Sequence, residues 1–339
     1  MSSDQAPATE IVGSGEFVYQ ACATWHHMPK GWTLTEAVGV AVDSRDRVFV
    51  FDRGPHPVLI FDREGNFIDA WGEEQFVRPH GIWIAPDDTL YLTDDLDHTI
   101  GHYTPDGKLL RTLGTSGQAS DTGVVNRDYR TIQRGAPPFN QPTNLALAPS
   151  GEMFVTDGYG NARVHKFSAD GELLLSWGEP GTGPGQFNLP HGIAIDSRGR
   201  VFVADRENSR LQIFSPEGEY LDQWSEIARP CQIYFDADDR AYVAEVGYHA
   251  GTPDPRPDET GGRLSIFDID GNLLARWGGG KDPYQPGDFI APHDVWVDST
   301  GSIYVGEVTD SAAVQYGMVG ADCPSLRKFT KVLATDSHR

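Results

Sequence analysis

The sequence predicts an all-β protein that folds as a six-bladed β-propeller, with four-stranded blades around a central channel. Three observations support this prediction. One unit recurs six times along the chain, each unit alternates apolar and polar residues, and turn residues interrupt the alternation every few positions. Period-two alternation between turns is typical of β-strands, and four-stranded units that repeat at roughly 40 residues are typical of propeller blades.

The fourth copy shows the unit most clearly. Residues 193–195, 201–204 and 211–214 are predicted to be strands, separated by the turns DSRGR and DRENS, and a fourth strand ends at Trp224. The other copies begin at Gly39, Pro79, Pro142, Pro230 and Pro292. Several of them end in a hairpin close to DGxLxxxWG, as in DGELLLSWG and DGNLLARWG, and the motif resembles the NHL repeat family.

The domain organisation follows from this count of repeats. Residues 11–332 are expected to form a single propeller, in which residues 11–34 supply a strand that closes the ring. Residues 1–10 are expected to be a disordered tail, and residues 333–339 form a second tail.

Composition narrows the class of protein. The formal net charge of −22 argues against nucleic acid and anionic membrane partners, and we expect a small-molecule substrate instead. The three cysteines are widely spaced, which argues against a disulfide framework or a cysteine metal site. Neither a signal peptide nor a long apolar run is visible, so a cytoplasmic location is expected. The oligomeric state stays open.

Histidine recurs at one position of the repeat. The residue before the apolar run of the first strand is a histidine in the second, fourth and sixth copies only; the six residues are Val38, His80, Thr143, His191, Cys231 and His293. Alternate blades of a six-bladed ring are related by a three-fold rotation, and the innermost strands line the channel. The alternation therefore predicts that the three histidines converge on the axis.

Three imidazoles and one open position are typical of a catalytic zinc site, whereas a structural zinc site is usually closed by four protein ligands. The open position accommodates a water or hydroxyl group whose pKa the metal lowers. Iron, manganese or cobalt would also accept these ligands. The alternative is that each imidazole only bonds a neighbouring carbonyl group as a structural feature of the repeat.

A second alignment, at the turn after the second strand, predicts further polar residues near the same channel mouth. Arg53, Tyr159 and Arg206 stand at this turn in the first, third and fourth copies. Arginine forms a fixed fork for a carboxylate or carbonyl group, and a tyrosine beside a cation can act as a base. Salt bridges between blades are the alternative role for the arginines.

Asp294 follows His293 directly, where the second and fourth copies have glycine. A carboxylate inside a channel is costly unless it is paired or binds a cation. Calcium takes carboxylate and backbone carbonyl ligands, and the carbonyl groups of Val40 and Ile82 are available on neighbouring inner strands. Asp294 is therefore a candidate ligand for a hard cation such as calcium.

The motifs DGYGN, GQFNLPH, ADRENSR and the final PHD together resemble the lyase domain of peptidylglycine α-amidating enzyme, peptidyl-α-hydroxyglycine α-amidating lyase. The resemblance covers roughly residues 35–310. It implies zinc on the three histidines and a structural calcium ion on Asp294 and the two carbonyl groups. It also implies a catalytic Tyr159 and active-site arginines at Arg53 and Arg206. That family cleaves an N-(α-hydroxy) amide to a primary amide and an aldehyde.

We therefore expect a zinc-dependent carbon–nitrogen lyase that acts on an N-(α-hydroxy) amide or a similar small α-hydroxy compound. A metal-assisted hydrolase or hydratase on the same histidines is one alternative, and a non-enzymatic NHL scaffold is another. Two features indicate a substrate other than a secreted peptide. Ala291 stands where the family carries a methionine at the substrate site, and insertions at residues 115–138 and 248–262 predict a reshaped mouth. A third excursion spans residues 309–325.

Overall fold

Six antiparallel sheets surround a central channel in the computed structural model, which describes residues 9–22 and 24–332. Five of these sheets have four strands and one has five. The inner strand of each sheet contacts the inner strand of the next, and the last contacts the first, so the ring is closed. The predicted six-bladed all-β propeller is confirmed.

The strands follow the sequence repeat, and each blade runs outward from the channel in chain order. The chain begins with β1 (Thr9–Ser14) and β2 (Phe17–Cys22). The first two blades are β3 (Ala37–Val42), β4 (Val48–Asp52), β5 (Val58–Phe61) and β6 (Phe67–Trp71), then β7 (Pro79–Ile84), β8 (Leu90–Asp94), β9 (Thr99–Tyr103) and β10 (Leu109–Gly114). The third blade is β11 (Pro142–Leu147), β12 (Met153–Asp157), β13 (Arg163–Phe167) and β14 (Leu173–Trp177), followed by the short parallel pair β15 (Glu179–Pro180) and β16 (Gln186–Phe187).

The second half of the ring repeats the pattern. The fourth and fifth blades are β17 (Pro190–Ile195), β18 (Val201–Asp205), β19 (Arg210–Phe214) and β20 (Tyr220–Trp224), then β21 (Pro230–Phe235), β22 (Ala241–Glu245), β23 (Arg263–Phe267) and β24 (Leu273–Gly278). The sixth blade contains β25 (Pro292–Val297), β26 (Ile303–Glu307) and β27 (Leu326–Lys331).

The N-terminal hairpin closes the ring. Strand β2 pairs with β27, with Tyr19 opposite Lys331, and so becomes the fourth strand of the sixth blade. Strand β1 adds a fifth strand outside it. This hairpin supplies the closing strand that the sequence predicted within residues 11–34. Strand β1 begins at Thr9, inside the predicted tail, whereas residues 1–8 and 333–339 lie outside the described residues.

The core lies between neighbouring blades rather than inside any one of them. Phe154 and Val164 of the third blade pack against Ile193 and Val203 of the fourth. Strands such as β18 are buried at every position because both faces of the blade are covered, whereas the outermost strands are partly exposed. This packing on both sides holds the inner strands, and therefore the channel, in a fixed geometry.

Within the described residues, helical structure is confined to short segments. A 3-10 turn, Tyr129–Thr131, lies in the first insertion, another, Arg206–Asn208, follows β18, and the third excursion contains α1 (Thr309–Ala312) and a 3-10 turn, Val314–Tyr316. Among the described residues there is no helix with the length and apolar character that crossing a membrane requires.

Candidate metal centre

The three histidines occupy the second residue of the inner strands β7, β17 and β25, and the backbone is irregular there. In each strand the register with the next strand shifts at the histidine. A β-bulge leaves one residue outside the ladder and re-aims its side chain. The repeat therefore directs the side chain at this position into the channel.

Each histidine is oriented by a carbonyl group of the following blade. The distances from Nδ1 to the carbonyl oxygen are 2.6 Å for His80 and Thr143, 2.8 Å for His191 and Cys231, and 2.7 Å for His293 and Val38. These carbonyl groups belong to the residues at the same repeat position in the blades without histidine. A proton on Nδ1 that is donated to a carbonyl group leaves Nε2 free to bind a metal. Each imidazole can therefore bond a neighbouring carbonyl group through Nδ1 and bind a metal ion through Nε2 at the same time.

The imidazoles form a nearly equilateral triangle. Their ring centroids are 4.8, 4.8 and 4.7 Å apart, and the candidate ligand atoms all lie within 4.8 Å of one another. Nε2 of His191 lies 3.2 Å from Nε2 of His293. All three side chains are buried, so bulk water is largely excluded from this point on the axis. The structure therefore brings together the three histidines that the alternation singled out.

The electrostatic environment keeps these imidazoles neutral. Burial lowers the pKa of all three well below the ordinary value, and nearby guanidinium groups lower it further; the carbonyl hydrogen bonds of His191 and His293 offset only part of this effect. With Nδ1 protonated, three Nε2 lone pairs face one another without a compensating charge. A divalent transition metal accepts neutral imidazole nitrogens and would relieve this repulsion. The donor set therefore fits a metal ion with an open coordination position.

Tyr159 follows β12 and reaches the same point. Its Oη lies 3.3 Å from Nε2 of His80 and 3.2 Å from Nε2 of His191. Nη1 of Arg206 donates a hydrogen bond to the same oxygen at 3.2 Å. The phenol is thus shared between two candidate metal ligands and a guanidinium group, where it can exchange a proton with a bound hydroxyl group.

Arg206 is nearly as buried as the histidines. Burial opposes its charge, but Tyr159 and Glu207 more than offset that effect and raise its pKa above the ordinary value. Its Nε donates to Glu207 at 2.9 Å, and its guanidinium carbon lies 5.4 Å from the centroid of the Tyr159 ring. Arg206 is therefore a fixed positive charge whose orientation is set before any substrate binds.

Arg53 follows β4 and is anchored on three sides. Its Nε donates to the carbonyl oxygen of Pro79 at 2.9 Å, and its Nη1 donates to Glu36 and to Ser311. The remaining nitrogen, Nη2, is buried and has no hydrogen-bond partner within the described part of the chain. An unpaired buried donor is costly, so this nitrogen is available for a ligand acceptor.

The structure adds one pair that the sequence did not identify. Nη1 of Arg78 lies 2.6 Å from Oδ2 of Asp95, and the guanidinium carbon of Arg78 lies 5.7 Å from the Tyr159 ring centroid. Asp95 stands at the same repeat position as Arg53 and Arg206, so the alignment contained a signal for it. Arg78 is outside both alignments, and only its contact with Asp95 identifies it.

Asp294 is fully enclosed beside the first inner strand. Its Oδ2 accepts a hydrogen bond from the backbone N–H of Val40 at 3.1 Å, and a Cβ atom on Gly39 would lie 3.3 Å from the same oxygen and 2.7 Å from Cγ2 of Ile82. Burial raises the pKa of Asp294 to about 8, although the N–H groups of Val40 and Val295 lower it. A buried carboxylate without a cationic partner among the described residues has the chemistry of a hard-cation ligand.

All three insertions lie at the histidine end of the channel. Thr122 of the first insertion donates a hydrogen bond to the carbonyl oxygen of Gly160, next to Tyr159, at 2.6 Å. Arg229 links Glu207 at 2.8 Å to a carbonyl oxygen of the second insertion at 2.7 Å. Ser311 of the third excursion contacts Arg53. The sequence left open which face these segments cover, and the contacts assign all of them to this mouth.

The side of the mouth formed by the fifth and sixth blades is apolar. Val246, Ala250, Ala291, Val308 and Ala312 are buried in one cluster. Arg53, Arg78, Tyr159 and Arg206 stand on the first four blades, and Arg229, just before β21, is held by Glu207 and by the second insertion. Small apolar side chains therefore line the part of the mouth that these charged groups leave free.

The family of this repeat is shown by two comparisons. The NHL repeat family matches residues 187–214. Human NHL repeat-containing protein 3 is 30% identical over 329 residues, which cover 91% of this chain and 87% of that protein. The chain belongs to the NHL-repeat family.

Amidating lyases are among the homologues of this NHL propeller, as its motifs predicted. Peptidyl-alpha-hydroxyglycine alpha-amidating lyase 1 of Drosophila melanogaster is 30% identical over 262 residues, which cover 70% of the NHL propeller and 44% of the fly protein. The crystal structure of virginiamycin B lyase from Staphylococcus aureus superposes on 88% of the NHL propeller and 96% of its own chain, with a TM-score of 0.56 and 13% identity. That second likeness concerns the fold alone.

Proposed function

We propose that this NHL propeller is a metal-dependent lyase that cleaves a small N-(α-hydroxy) amide to a primary amide and an aldehyde. One observation carries the proposal: the Tyr159 hydroxyl contacts Nε2 of two converging histidines and the guanidinium group of Arg206. Homology to amidating lyases supports the same reaction. The insertions over the mouth favour a small substrate over an extended peptide.

The metal would be held by Nε2 of His80, His191 and His293, and zinc is the ion that this donor set most often binds. When bound, such an ion supplies Lewis acidity that favours loss of a proton from a hydroxyl group. A structural calcium ion would be held by Asp294 with the backbone carbonyl groups of Val40 and Ile82. That ion would compensate the buried charge one residue away from His293.

The residues of the chain divide the remaining work. Tyr159 Oη would accept the proton of the substrate hydroxyl group, because it already lies at hydrogen-bond distance from the two Nε2 atoms. Arg206 would hold Tyr159 in place and stabilise negative charge that develops on oxygen. The unpartnered Nη2 of Arg53 would donate to a carbonyl or carboxylate oxygen of the substrate.

The reaction balances without water. The bond between the hydroxyl-bearing carbon and the amide nitrogen breaks, and its electron pair goes to nitrogen. The hydroxyl oxygen becomes the aldehyde oxygen, and the proton taken by Tyr159 returns to the amide nitrogen. A hydrolase acting on the same site would consume one water molecule and release an acid and an amine.

The test uses the full chain loaded with zinc and an N-benzoyl-α-hydroxyglycine substrate. Benzamide and glyoxylate should appear in equal amounts, faster than in a protein-free control, and activity should be lost in the Tyr159→Phe variant. Benzoic acid as the main product would favour the hydrolase instead. If no product forms with metal-loaded protein on this substrate or on smaller carbinolamides, the lyase proposal is wrong.

A further inference from the structure

A cavity opens at the end of the channel opposite the metal centre. Its volume is about 780 Å³, and its wall contains residues from all six blades at the turns that follow the inner strands. None of the histidines, and neither Tyr159 nor the arginines of the metal centre, lines it. The proposed lyase reaction leaves this cavity without a role.

Three aromatic residues lie at the inner end of this cavity. They occupy the fifth position of their inner strands, and the six residues at this position are Ala41, Trp83, Ala146, Ala194, Tyr234 and Trp296. Three are large and aromatic, and three are alanine. Trp83 and Tyr234 belong to blades on opposite sides of the ring, so the aromatic side chains extend across the channel and close the inner end of the cavity.

The rings form a continuous wall. The centroid of Trp296 lies 5.3 Å from that of Trp83 and 4.8 Å from that of Tyr234. All three side chains are only partly buried, so part of each ring faces the cavity. The rings contact each other too closely to enclose a ligand between them. The Trp83 and Trp296 rings are inclined at 69° to each other, so a ligand would lie against the exposed parts of these rings on the cavity side.

The electrostatic potential in the cavity is negative. Seven aspartates line it, and no lysine or arginine does. Four of the seven form salt bridges with arginines of nearby turns; they are Asp43, Asp46, Asp196 and Asp236. Within residues 9–22 and 24–332, no salt bridge reaches the other three, Asp88, Asp239 and Asp298. The cavity therefore carries net negative charge and favours cations.

These carboxylates are poorly suited to bind a dehydrated metal ion. The two oxygens of Asp88 accept hydrogen bonds from the backbone N–H and hydroxyl group of Ser44, each at 2.8 Å. Asp239 makes the same pair of bonds to Ser197. An inner-sphere metal would have to displace these bonds between blades. A cation that needs no inner-sphere ligands would retain them.

We infer that this cavity binds a small organic cation, an alkylated ammonium group whose apolar surface lies on Trp83, Tyr234 and Trp296. The π faces attract the cation directly, and the uncompensated aspartates add a longer-range attraction. Burial and the nearby Asp236 and Asp298 raise the pKa of Tyr234 to about 12, so its ring stays a neutral phenol in the physiological range. The site is separate from the metal centre and does not depend on the proposed lyase activity.

The test is isothermal titration calorimetry of the full chain with choline and with its uncharged analogue, in which carbon replaces the nitrogen atom. Choline should bind saturably, and the analogue should bind at least about tenfold more weakly because it lacks the charge. Trp296→Leu keeps apolar bulk but removes the π face, so choline affinity should fall about tenfold. The double variant Asp88→Asn with Asp239→Asn should weaken choline binding by a smaller factor.

Two controls accompany the titrations. Thermal unfolding reports whether each variant is folded, and Tyr234→Leu replaces Trp296→Leu if the latter is not. The variant His191→Ala should bind choline as the wild type does, because the metal centre lies at the opposite end of the channel. The inference is overturned by absent binding, by equal affinities for choline and its analogue, by unchanged choline affinity in the folded aromatic variants, or by loss of choline binding in His191→Ala.

Discussion

The hydroxyl oxygen of Tyr159 lies 3.2 Å from Nε2 of His191, although the two residues belong to different blades. The nitrogen is a candidate metal ligand, and the oxygen is a candidate proton acceptor. Their contact brings the proton acceptor to the point where a substrate hydroxyl group would be activated. The first two predictions separate the roles of these residues.

Replacing Tyr159 with phenylalanine should remove the proton acceptor and leave the metal ligands in place. We expect kcat for amide release to fall by about 10²–10⁴, with metal content and thermal stability close to wild type. Steady-state kinetics together with metal analysis would measure both. The variant Tyr129→Phe, in the insertion over the same mouth, is the matched control and should retain activity within a few-fold. Full activity in Tyr159→Phe would exclude the phenol as the base.

Replacing His191 with alanine should abolish metal binding, because two imidazoles without a third ligand hold a divalent ion poorly. Inductively coupled plasma mass spectrometry of untagged wild-type protein should find about one transition metal ion per chain, and the variant should have lost it. His102→Ala is the control, since His102 lies on β9 and its Nε2 contacts Thr89 at 2.8 Å, away from the axis. Equal metal content in the wild type and His191→Ala would contradict the site.

Asp95 should make stability depend on pH. Burial raises its pKa from 3.8 to about 6, although Arg78 and Arg53 lower it. The folded protein therefore keeps a proton that the unfolded chain releases, and the stabilisation is complete below about pH 4 and lost as pH rises through about 6. The wild type should therefore lose stability relative to Asp95→Asn as the pH rises from about 4 to about 6, so the difference between their free energies of unfolding should fall.

Urea denaturation at several pH values would measure that difference. The exposed Asp222→Asn provides the matched control, and its difference from wild type should stay flat. A wild-type excess that stays constant or grows as the pH rises would show that Asp95 is already ionised in the folded protein.

Calcium should stabilise the protein through Asp294. At a calcium concentration about 100 times its Kd, the expected gain in free energy of unfolding is about 2.7 kcal/mol. Thermal unfolding of chelator-treated protein, with and without calcium, would measure it, and magnesium serves as the control ion. Asp294→Asn should not respond, because a neutral amide is a poor substitute for the carboxylate. If calcium stabilised Asp294→Asn as much as the wild type, calcium would bind at a site that does not include Asp294.

Ring closure should be a large part of the stability. Tyr19 of β2 is completely buried, and its ring centroid lies 5.5 Å from that of Trp277. Tyr19→Ala should cost about 3 kcal/mol, as is usual for removal of a buried aromatic side chain. Ile11 of the neighbouring β1 is 62% exposed, so Ile11→Ala should cost less than about 0.5 kcal/mol. Chemical denaturation of the two variants would compare them, and equal stabilities would mean that burial of Tyr19 in the closing strand contributes little to the free energy of unfolding.

The repeat itself made most of this architecture predictable. Because each blade is one copy of the same unit, the alternation at His80, His191 and His293 could be converted into a three-fold arrangement without any coordinates. The same symmetry indicated that Arg53, Tyr159 and Arg206 share one end of the channel. The prediction extended to a closing strand within residues 11–34, but it ended the tail at residue 10, whereas β1 begins at Thr9, because the N-terminal segment has no repeat partner to align with.

The sequence by itself determined the six blades, the three histidines and the turn that carries the tyrosine and arginines, since these depend on local alternation and on equivalence between repeats. The tertiary structure alone decided which carbonyl groups orient the imidazoles, that Arg78 pairs with Asp95, and that all the insertions cover one mouth. It also decided that Trp83, Tyr234 and Trp296 form one wall. These contacts join residues of different blades, and their partners are set by closure of the ring and the packing between sheets, which no local pattern encodes.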